Sequence, residues 1–255
     1  MTVTLGWPLA LALTVLVAVG FGAARLGRLP ISGAIPLAAV RAGLQLLAVS
    51  FVVGIALRSA WLAFGFASLM FLIGTLTTAK RTGLTDAKGR LAAGLAMLAG
   101  AAPVLIIVFA SGSAPLTGPA IVPIAGIIVG NMMSAHTLAG RRAFADLDAN
   151  RGEYEGYLSL GLVPRYAVSA VVSPNLHESL IPSLDQTRTV GLVTLPGAYI
   201  GVLLGGGSPW DAGAAQVLVL VGITTGQTLT VLTARRLMAA GWLLPPELRD
   251  RLRPR

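Results

Sequence analysis

Long runs of apolar residues, separated by short basic loops, constrain this chain more than any other feature. A helix needs roughly 20 apolar residues to cross the hydrocarbon core of a membrane. Hydrophobic residues make up 55% of the 255 residues and charged residues only 11%, whereas a soluble domain carries roughly 25% charged residues. A chain so poor in charge cannot cover a soluble surface, so it requires lipid as its solvent.

Seven of the apolar runs are candidates for membrane-spanning helices. They cover residues 4–24, 34–57, 60–79, 91–110, 119–139, 190–204 and 212–238. The run 190–204 is the shortest and could begin earlier, near Leu180. The sequence therefore predicts an all-α, polytopic integral membrane protein with about seven transmembrane helices. Residues 1–239 would form the transmembrane domain, and residues 240–255 a basic cytoplasmic tail.

The basic residues indicate which side of the membrane each loop faces, because cytoplasmic loops are enriched in Lys and Arg. No basic residue precedes the first run, and Arg25 and Arg28 follow it. This pattern favours a retained helix over a signal peptide and places the N-terminus outside. With seven crossings, 17 of the 19 basic residues lie on the inner side. We therefore expect a multi-pass protein of the cytoplasmic (plasma) membrane with a cytoplasmic C-terminus.

The net charge of +9 does not indicate a nucleic-acid-binding protein. The basic residues are spread over short loops between apolar runs, as membrane topology requires. Lipids, and not nucleic acids, are the expected partners. The chain has no cysteine, which excludes disulfides and thiolate metal sites.

One polar stretch, residues 140–182, interrupts the apolar pattern. We predict that it belongs to a large cytoplasmic loop, residues 140–187. Tyr154, Tyr157 and Leu158 would share one face of a short helix. Gly161 would end that helix and Pro164 would begin another. Two short helices meeting at a turn fit a docking site for a soluble partner, and they also fit an interfacial helix on the membrane. The stretch holds five of the ten acidic residues: Asp146, Asp148, Glu153, Glu155 and Glu178.

Two features interrupt the predicted spans themselves. Arg41 lies within the run 34–57, and Gln45 follows one turn later on the same face. A charge at the bilayer centre costs about 2.5–3.5 kcal/mol, so we expect Arg41 to line a substrate path, to bond another helix, or to snorkel to the inner surface. The dipeptide Pro196-Gly197 interrupts the run 190–204. Broken helices near the middle of the membrane are common at transport sites, although a kink for packing is an equal alternative.

A cluster of soft donor groups lies in the C-terminal half of the run 119–139. It comprises Asn131, Met132, Met133 and His136. Met132 and His136 are four residues apart and share a face, and thioether and imidazole groups suit transition metals. They are weak candidates for metal ligands, because Met in a membrane helix usually packs and a lone His is usually hydrogen-bonded.

Glycines at intervals of four residues predict close approach of helix backbones. The spacing fits packing within one bundle, and it also fits a dimer interface or a closable pathway. The glycines are Gly126 and Gly130, then Gly197, Gly201 and Gly205, and finally Gly222 and Gly226.

Three stretches carry a likeness to a known family: AVRAGLQLLAVSFVVG (39–54), PIAGIIVGNMMS (123–134) and SLIPSLDQTRTVGLVTLPGAYIG (179–201). With them, the chain resembles the FetB-type iron-export permease family, which includes plant aluminium-sensitivity proteins. Members of this family are membrane subunits of ATP-binding-cassette transporters. The resemblance implies a pair of permeases that export a metal ion, iron first. A separate ATPase subunit would hold ATP and Mg, and this chain would need no cofactor.

The resemblance also implies that residues 153–166 are a coupling helix, which receives the motion of the ATPase. The residues implied for this contact are Glu153, Glu155, Tyr157, Leu158, Leu160, Gly161, Pro164 and Arg165.

Other functions remain open at this level. The chain has no G-x-x-x-x-G-K-[ST] phosphate loop, so we expect it to be a transport subunit and not an enzyme. An ATP-independent channel or secondary transporter is one alternative. Plant relatives suggest another, the export of an organic anion such as a nucleotide sugar, for which Arg41 would supply a counter-charge.

Overall fold

The structure, a computed structural model, describes residues 6–252, and eleven α-helices account for most of this range. The chain divides into two compact units, Met1–Ala56 and Leu57–Arg255. Three parts of the sequence predictions lie outside the described residues: the start of the first span at Thr4, and the basic residues Arg253 and Arg255 of the predicted tail.

The first unit is a pair of helices, α1 (Trp7–Leu26) and α2 (Ala34–Ala56). Their 20 and 23 residues correspond to about 30 and 35 Å at 1.5 Å per residue, enough to cross the hydrocarbon core. Most of their side chains are exposed, and nearly all of these are apolar. Helices that are apolar on every side are suited to lipid.

The second unit contains the remaining helices. They are α3 (Ala60–Arg81), α4 (Ala87–Ala110), α5 (Gly118–Ala149), α6 (Arg151–Ser159), α7 (Pro164–Leu176), α8 (Ile181–Thr189), α9 (Gly197–Leu204), α10 (Pro209–Ala239) and α11 (Pro246–Arg251). Local sequence sets several of the starts, because a capping side chain satisfies amides that the first turn leaves free. Ser59 caps α3, Asp86 caps α4, and Ser208 forms a capping box with Asp211 at the start of α10.

Six helices in the described range, α1 to α5 and α10, are long and apolar enough to cross a membrane. This confirms the all-α membrane class, and it differs from the seven continuous spans predicted. The run 190–204 does not form one helix. It contains a turn at residues 190–196 and the eight-residue helix α9, which is only about 12 Å long.

The chain nevertheless returns along the bundle between α5 and α10, because these two helices run parallel. Moving along α5, Asn131 bonds Gln227 of α10 and Met132 bonds the later residue Thr230. The chain between the two helices must therefore return from the end of α5 to the start of α10. The interrupted pair α8 and α9 makes that return.

α5 is the longest helix, and its length corrects the predicted loop. It continues ten residues past the predicted end at Ala139. Its 32 residues extend about 48 Å, whereas the hydrocarbon core is roughly 30 Å thick. The polar residues after Ala139 therefore do not end the helix. The predicted loop 140–187 is accordingly mostly helical, with α6, α7, a short 3-10 turn (His177–Leu180) and most of α8 following α5.

Two apolar clusters hold the second unit together. The first, which we call the basal core, surrounds the ends of α5 and α10. Small side chains dominate where α3, α4, α5 and α10 meet, which lets their backbones approach closely. The basal core includes Ala79, Leu84, Ala93, Ala139, Leu147, Tyr154, Val168, Val172, Ala234, Met238, Leu243, Leu244, Leu248 and Leu252. The second cluster lies nearer the other end and includes Met97, Val104, Ile128, Met132 and Ile223.

The segment 240–252, predicted as a basic tail, is part of the basal core. Its four leucines Leu243, Leu244, Leu248 and Leu252 are all buried there. Residues 167–172, too short to span, form the middle of α7, and Ala167, Val168, Val171 and Val172 among them are buried in the basal core.

Candidate functional site

α6 and α7 form a hairpin at the end of the bundle where α5 stops. α6 ends at Ser159, and Gly161 adopts φ 85°, a conformation that favours glycine. Pro164 then occupies the first turn of α7, where its fixed φ suits a helix start and its missing amide costs nothing. The break thus falls where Gly161 and Pro164 predict it.

The inner side of the hairpin packs into the basal core. Tyr154 is buried, and its hydroxyl donates to the carbonyl of Leu252 at 3.1 Å. The side chains of Tyr157 and Leu158 are half-buried against the same core. The Tyr157 hydroxyl donates to Glu153 at 2.9 Å. Two of the residues implied for ATPase contact, Tyr157 and Leu158, therefore face inward in part.

Both tyrosine hydroxyls keep their protons at physiological pH. Burial raises the pKa of Tyr154. The hydrogen bond to Glu153, and the negative charge of that carboxylate, raise the pKa of Tyr157. The Tyr154 hydroxyl therefore remains a donor to Leu252, because a phenol loses its proton only near pH 10 or above.

The outer side of the hairpin is an exposed apolar tip. We call its four residues Leu160, Leu162, Val163 and Tyr166 the tip. Leu160 is 80% exposed and Tyr166 is 65% exposed. Of these four residues, only Leu160 is among those implied for ATPase contact. The remaining residues implied for ATPase contact, Glu153, Glu155, Gly161, Pro164 and Arg165, are also exposed.

Ion pairs tie the surroundings of the hairpin to the rest of the unit. Arg251 of α11 binds Asp148 of α5 at 2.9 Å. Arg249 binds Asp86, the cap of α4, at 3.2 Å. Exposed pairs such as the first contribute little stability, but together with the buried leucines they fix the segment 240–252 between α4, α5 and α6.

The soft donors of α5 are partly or wholly buried. Met132 and His136 are fully buried, and Asn131 and Met133 are half-buried. The Asn131 amide donates to the carbonyl of Ile127. The Met132 sulfur accepts a hydrogen bond from Thr230 at 3.2 Å. The structure therefore adds a hydroxyl from α10 to this cluster, which the sequence does not reveal.

A chain of hydroxyl groups fixes the tautomer of His136. The Thr137 hydroxyl has one proton and donates it to the carbonyl of Met133. It therefore accepts from Thr78, whose hydroxyl lies 2.7 Å away. Thr78 has then used its only proton, so it accepts from the Nδ1–H of His136 at 2.9 Å.

The other ring nitrogen of His136 consequently carries a free lone pair. Nε2 is buried and has no hydrogen-bond partner within the described residues. A neutral imidazole with Nδ1 protonated offers Nε2 as a ligand atom. Gln227 donates through its Nε2 to the backbone carbonyl of Asn131. Its Oε1 is likewise buried and has no hydrogen-bond partner among the described residues.

No group of three His, Asp or Glu side chains converges in the range 6–252. A metal ion at His136 would therefore depend on thioethers, hydroxyls or carbonyls for its other ligands. Met97 of α4 is a further buried thioether in this region, and its sulfur accepts from Thr75 of α3.

The other residues considered for a substrate path are spread over both units. Arg41 and Gln45 belong to the first unit, where both are exposed on α2. Pro196 and Gly197 lie where α9 starts, so the proline precedes a helix and does not kink one. Gln216 of α10 accepts the amide of Tyr199 in the first turn of α9 at 3.2 Å. A side chain thus satisfies one of the backbone amides that the break between α8 and α9 leaves without a helical partner.

The predicted packing glycines fall into two groups. Gly126, Gly222 and Gly226 lie against neighbouring helices, where an added Cβ would meet Met70, Val104 and Met132 at 2.8–3.0 Å. Gly130, Gly197, Gly201 and Gly205 have no neighbouring helix within 4 Å of an added Cβ. Gly197 and Gly201 instead line a cavity of about 480 Å³ between α5, α9 and α10.

Comparison with known proteins identifies the family. The model of the "Uncharacterised protein family (UPF0014)" matches residues 7–242. The UPF0014 membrane protein STAR2 of rice (Oryza sativa subsp. japonica) is 32% identical over 212 residues, which cover 82% of this chain and 74% of the relative. Protein ALUMINUM SENSITIVE 3 of Arabidopsis thaliana is 32% identical over 196 residues, 74% of this chain and 71% of the relative.

A bacterial relative links the family to transport. The probable iron export permease protein FetB of Escherichia coli (strain K12) is 30% identical over 148 residues, which cover 58% of this chain and 57% of the relative. No solved structure matches the chain. The resemblance to the FetB-type family is thereby confirmed: the chain belongs to the UPF0014 family and is a multi-pass membrane protein.

Proposed function

We propose that this chain is the permease subunit of an ATP-binding-cassette exporter and that its cargo is a metal ion, iron first. One observation carries the ATPase part of the proposal. The α6–α7 hairpin exposes an apolar tip while its other side is buried in the basal core. An apolar protrusion at the polar end of a membrane bundle is suited to a soluble partner.

The packing of the hairpin suggests how force would reach the membrane. The basal core joins α6 and α7 to side chains from α3, α4, α5 and α10. A close-packed core transmits displacement because it cannot be compressed locally. When the ATPase closes on ATP and pushes the tip, the lower ends of these helices would move together and re-orient the bundle.

The cargo part of the proposal rests on the bacterial relative and on α5. The Escherichia coli relative is named a probable iron export permease protein. In this chain, Nε2 of His136 offers a buried lone pair, and Met132 lies one turn away on the same helix. Imidazole and thioether ligands favour transition metals over Mg²⁺ or Ca²⁺. The break between α8 and α9, which ends at Pro196, supplies the irregular backbone that transport sites often use.

The first experiment tests the ATPase partner. Tagged chain, purified gently from its native membrane, should carry a stoichiometric ATP-binding-cassette ATPase that mass spectrometry identifies. Leu160→Asp and Val163→Asp should each lower its recovery about tenfold or more, since a charge then replaces an apolar anchor. Both side chains are exposed, so the variants should still insert and fold.

Two controls separate lost docking from other effects. Leu160→Met keeps the apolar surface and should keep the ATPase. Ala87→Asp adds the same charge at another exposed position of this end of the unit and should also keep it. Normal recovery with both tip variants would sink the coupling role. Absence of any ATPase from a folded, unmodified preparation would instead favour an ATP-independent channel or secondary transporter.

A further inference from the structure

A small basic cavity lies between α7 and α10, beside the hairpin. Its volume is about 170 Å³, several times the roughly 30 Å³ that one water occupies in the liquid. The residues that line it include three arginines and two residues with a hydroxyl group. The lining residues are Arg165, Tyr166 and Ser169 of α7, and Arg235, Arg236 and Ala239 of α10.

The ion pairs recorded among residues 6–252 do not include any of these three arginines. The acidic residues of the adjoining helices are engaged elsewhere. Asp146 and Glu178 bind Arg142, Asp148 binds Arg251, Glu155 binds Arg151, and Glu153 accepts from Tyr157. Three arginines line this cavity without an acidic side chain among the lining residues, and this arrangement favours an anion there.

The arrangement of donors also suits an anion. Arg235 is half-buried, and its Nη1 donates to Ser173 of α7 at 3.3 Å, which holds it across the gap between the helices. Arg165 lies in the first turn of the 13-residue helix α7, where the helix dipole is positive. Planar guanidinium groups match the oxygens of a phosphate in pairs.

We propose that this cavity binds the phosphate group of an anionic phospholipid. The cavity lies where α10 passes from its apolar segment to Arg235 and Arg236, and basic residues that follow an apolar segment are expected at the level of the lipid headgroups. Tyr166 is 65% exposed beside it, and tyrosine is enriched at membrane interfaces. Basic pockets between helices on the cytoplasmic side are suited to such headgroups. Lipid binding here does not depend on the cargo, but Arg165 and Tyr166 also belong to the surface proposed for the ATPase, so the two kinds of binding are measured separately.

Native mass spectrometry of the purified chain would test the site. The chain is titrated with phosphatidylglycerol, with cardiolipin and, as the neutral comparison, with phosphatidylcholine. The variant Arg165→Gln/Arg235→Gln/Arg236→Gln should weaken binding of the two anionic lipids roughly a hundredfold, at about fivefold for each arginine. The matched control Lys80→Gln/Arg81→Gln/Arg90→Gln removes the same charge from exposed positions and should bind as the unmodified chain does.

Further measurements distinguish a lipid from the other possible occupants of the cavity. Inorganic phosphate that protects the lipid-free chain against thermal unfolding, and does so only when the three arginines are present, would support the phosphate site and assign it to a free anion. The single variant Arg165→Gln, at an exposed position, should weaken lipid binding about fivefold even if the triple variant fails to fold. Equal loss of lipid in the pocket and control variants would overturn the proposal. Loss of ATPase recovery with unchanged lipid binding would also overturn the proposal, because the arginines would then bind a carboxylate of the ATPase.

Discussion

At position 136, the chemistry of the imidazole depends on two threonines that no sequence motif singles out. Thr78 comes from α3 and Thr137 from α5, and their hydroxyls orient one another before they orient the ring. Side chains that hydrogen-bond to a metal ligand and orient it typically change metal affinity or activity 10–100-fold when they are mutated. Thr78 is therefore expected to act as a positioning residue for His136.

His136→Ala should lower metal export by about tenfold or more, because it removes the Nε2 lone pair. Thr78→Val should lower export less, since the ring remains but its tautomer is no longer fixed. Metal-stimulated transport into inverted membrane vesicles would measure both effects. His177 is exposed on the 3-10 turn, so His177→Ala is the control and should transport normally. Unchanged transport by a folded His136→Ala chain would exclude His136 from the path.

At the scale of the element, close backbone contact between α4 and α10 depends on Gly100 more than on any glycine chosen by spacing. An added Cβ at Gly100 would overlap the Thr230 hydroxyl and the Gly226 carbonyl, and it would lie 2.9 Å from the Met132 sulfur. Backbone atoms cannot move aside without separating the two helices. Periodicity does not reveal this position, because the crossing of the helices determines which residue is closest.

Gly100→Ala should therefore destabilise the protein by about 1–3 kcal/mol, the usual cost of overpacking. Gly130→Ala is the matched control, since an added Cβ there meets nothing within 4 Å and alanine is favoured over glycine in a helix by about 1 kcal/mol. Thermal unfolding in detergent, followed by size-exclusion chromatography, would rank the two variants. Equal stability of both would contradict the close contact.

At the scale of the whole molecule, the segment 240–252 closes the basal core. Tyr154 and Leu252 are 98 residues apart in the chain and share a hydrogen bond. Four leucines of the segment are buried beside them. Burying one leucine side chain contributes about 1.5–3 kcal/mol, so the segment contributes several kcal/mol to holding α6 and α7 in place.

A chain ending at Trp242 should lose much of its thermal stability, because it leaves the basal core without Leu243, Leu244, Leu248 and Leu252. Limited proteolysis should then cut within α6 or α7. A chain ending at Leu252 keeps all four leucines and should behave as the full chain does. Equal protease resistance in the two chains would show that the segment is dispensable for the hairpin.

The sequence by itself determined the class, the family and the local breaks of this protein. Hydropathy reports the solvent around each residue, so six of the seven apolar runs coincide with helices long enough to cross a membrane. Gly161 and Pro164 set the hairpin turn through their own backbone preferences, which need no distant partner. The stretches shared with relatives identified the family without reference to packing.

Only the tertiary structure decided where helices continue and which faces meet. Hydropathy falls after Ala139, but α5 continues to Ala149. Because α5 and α10 run parallel, the run 190–204 became part of the broken segment that returns between them. The partners Thr78 and Leu252 are 58 and 98 residues from His136 and Tyr154. Contacts between residues so far apart follow from the packing of the helices, which no local pattern encodes.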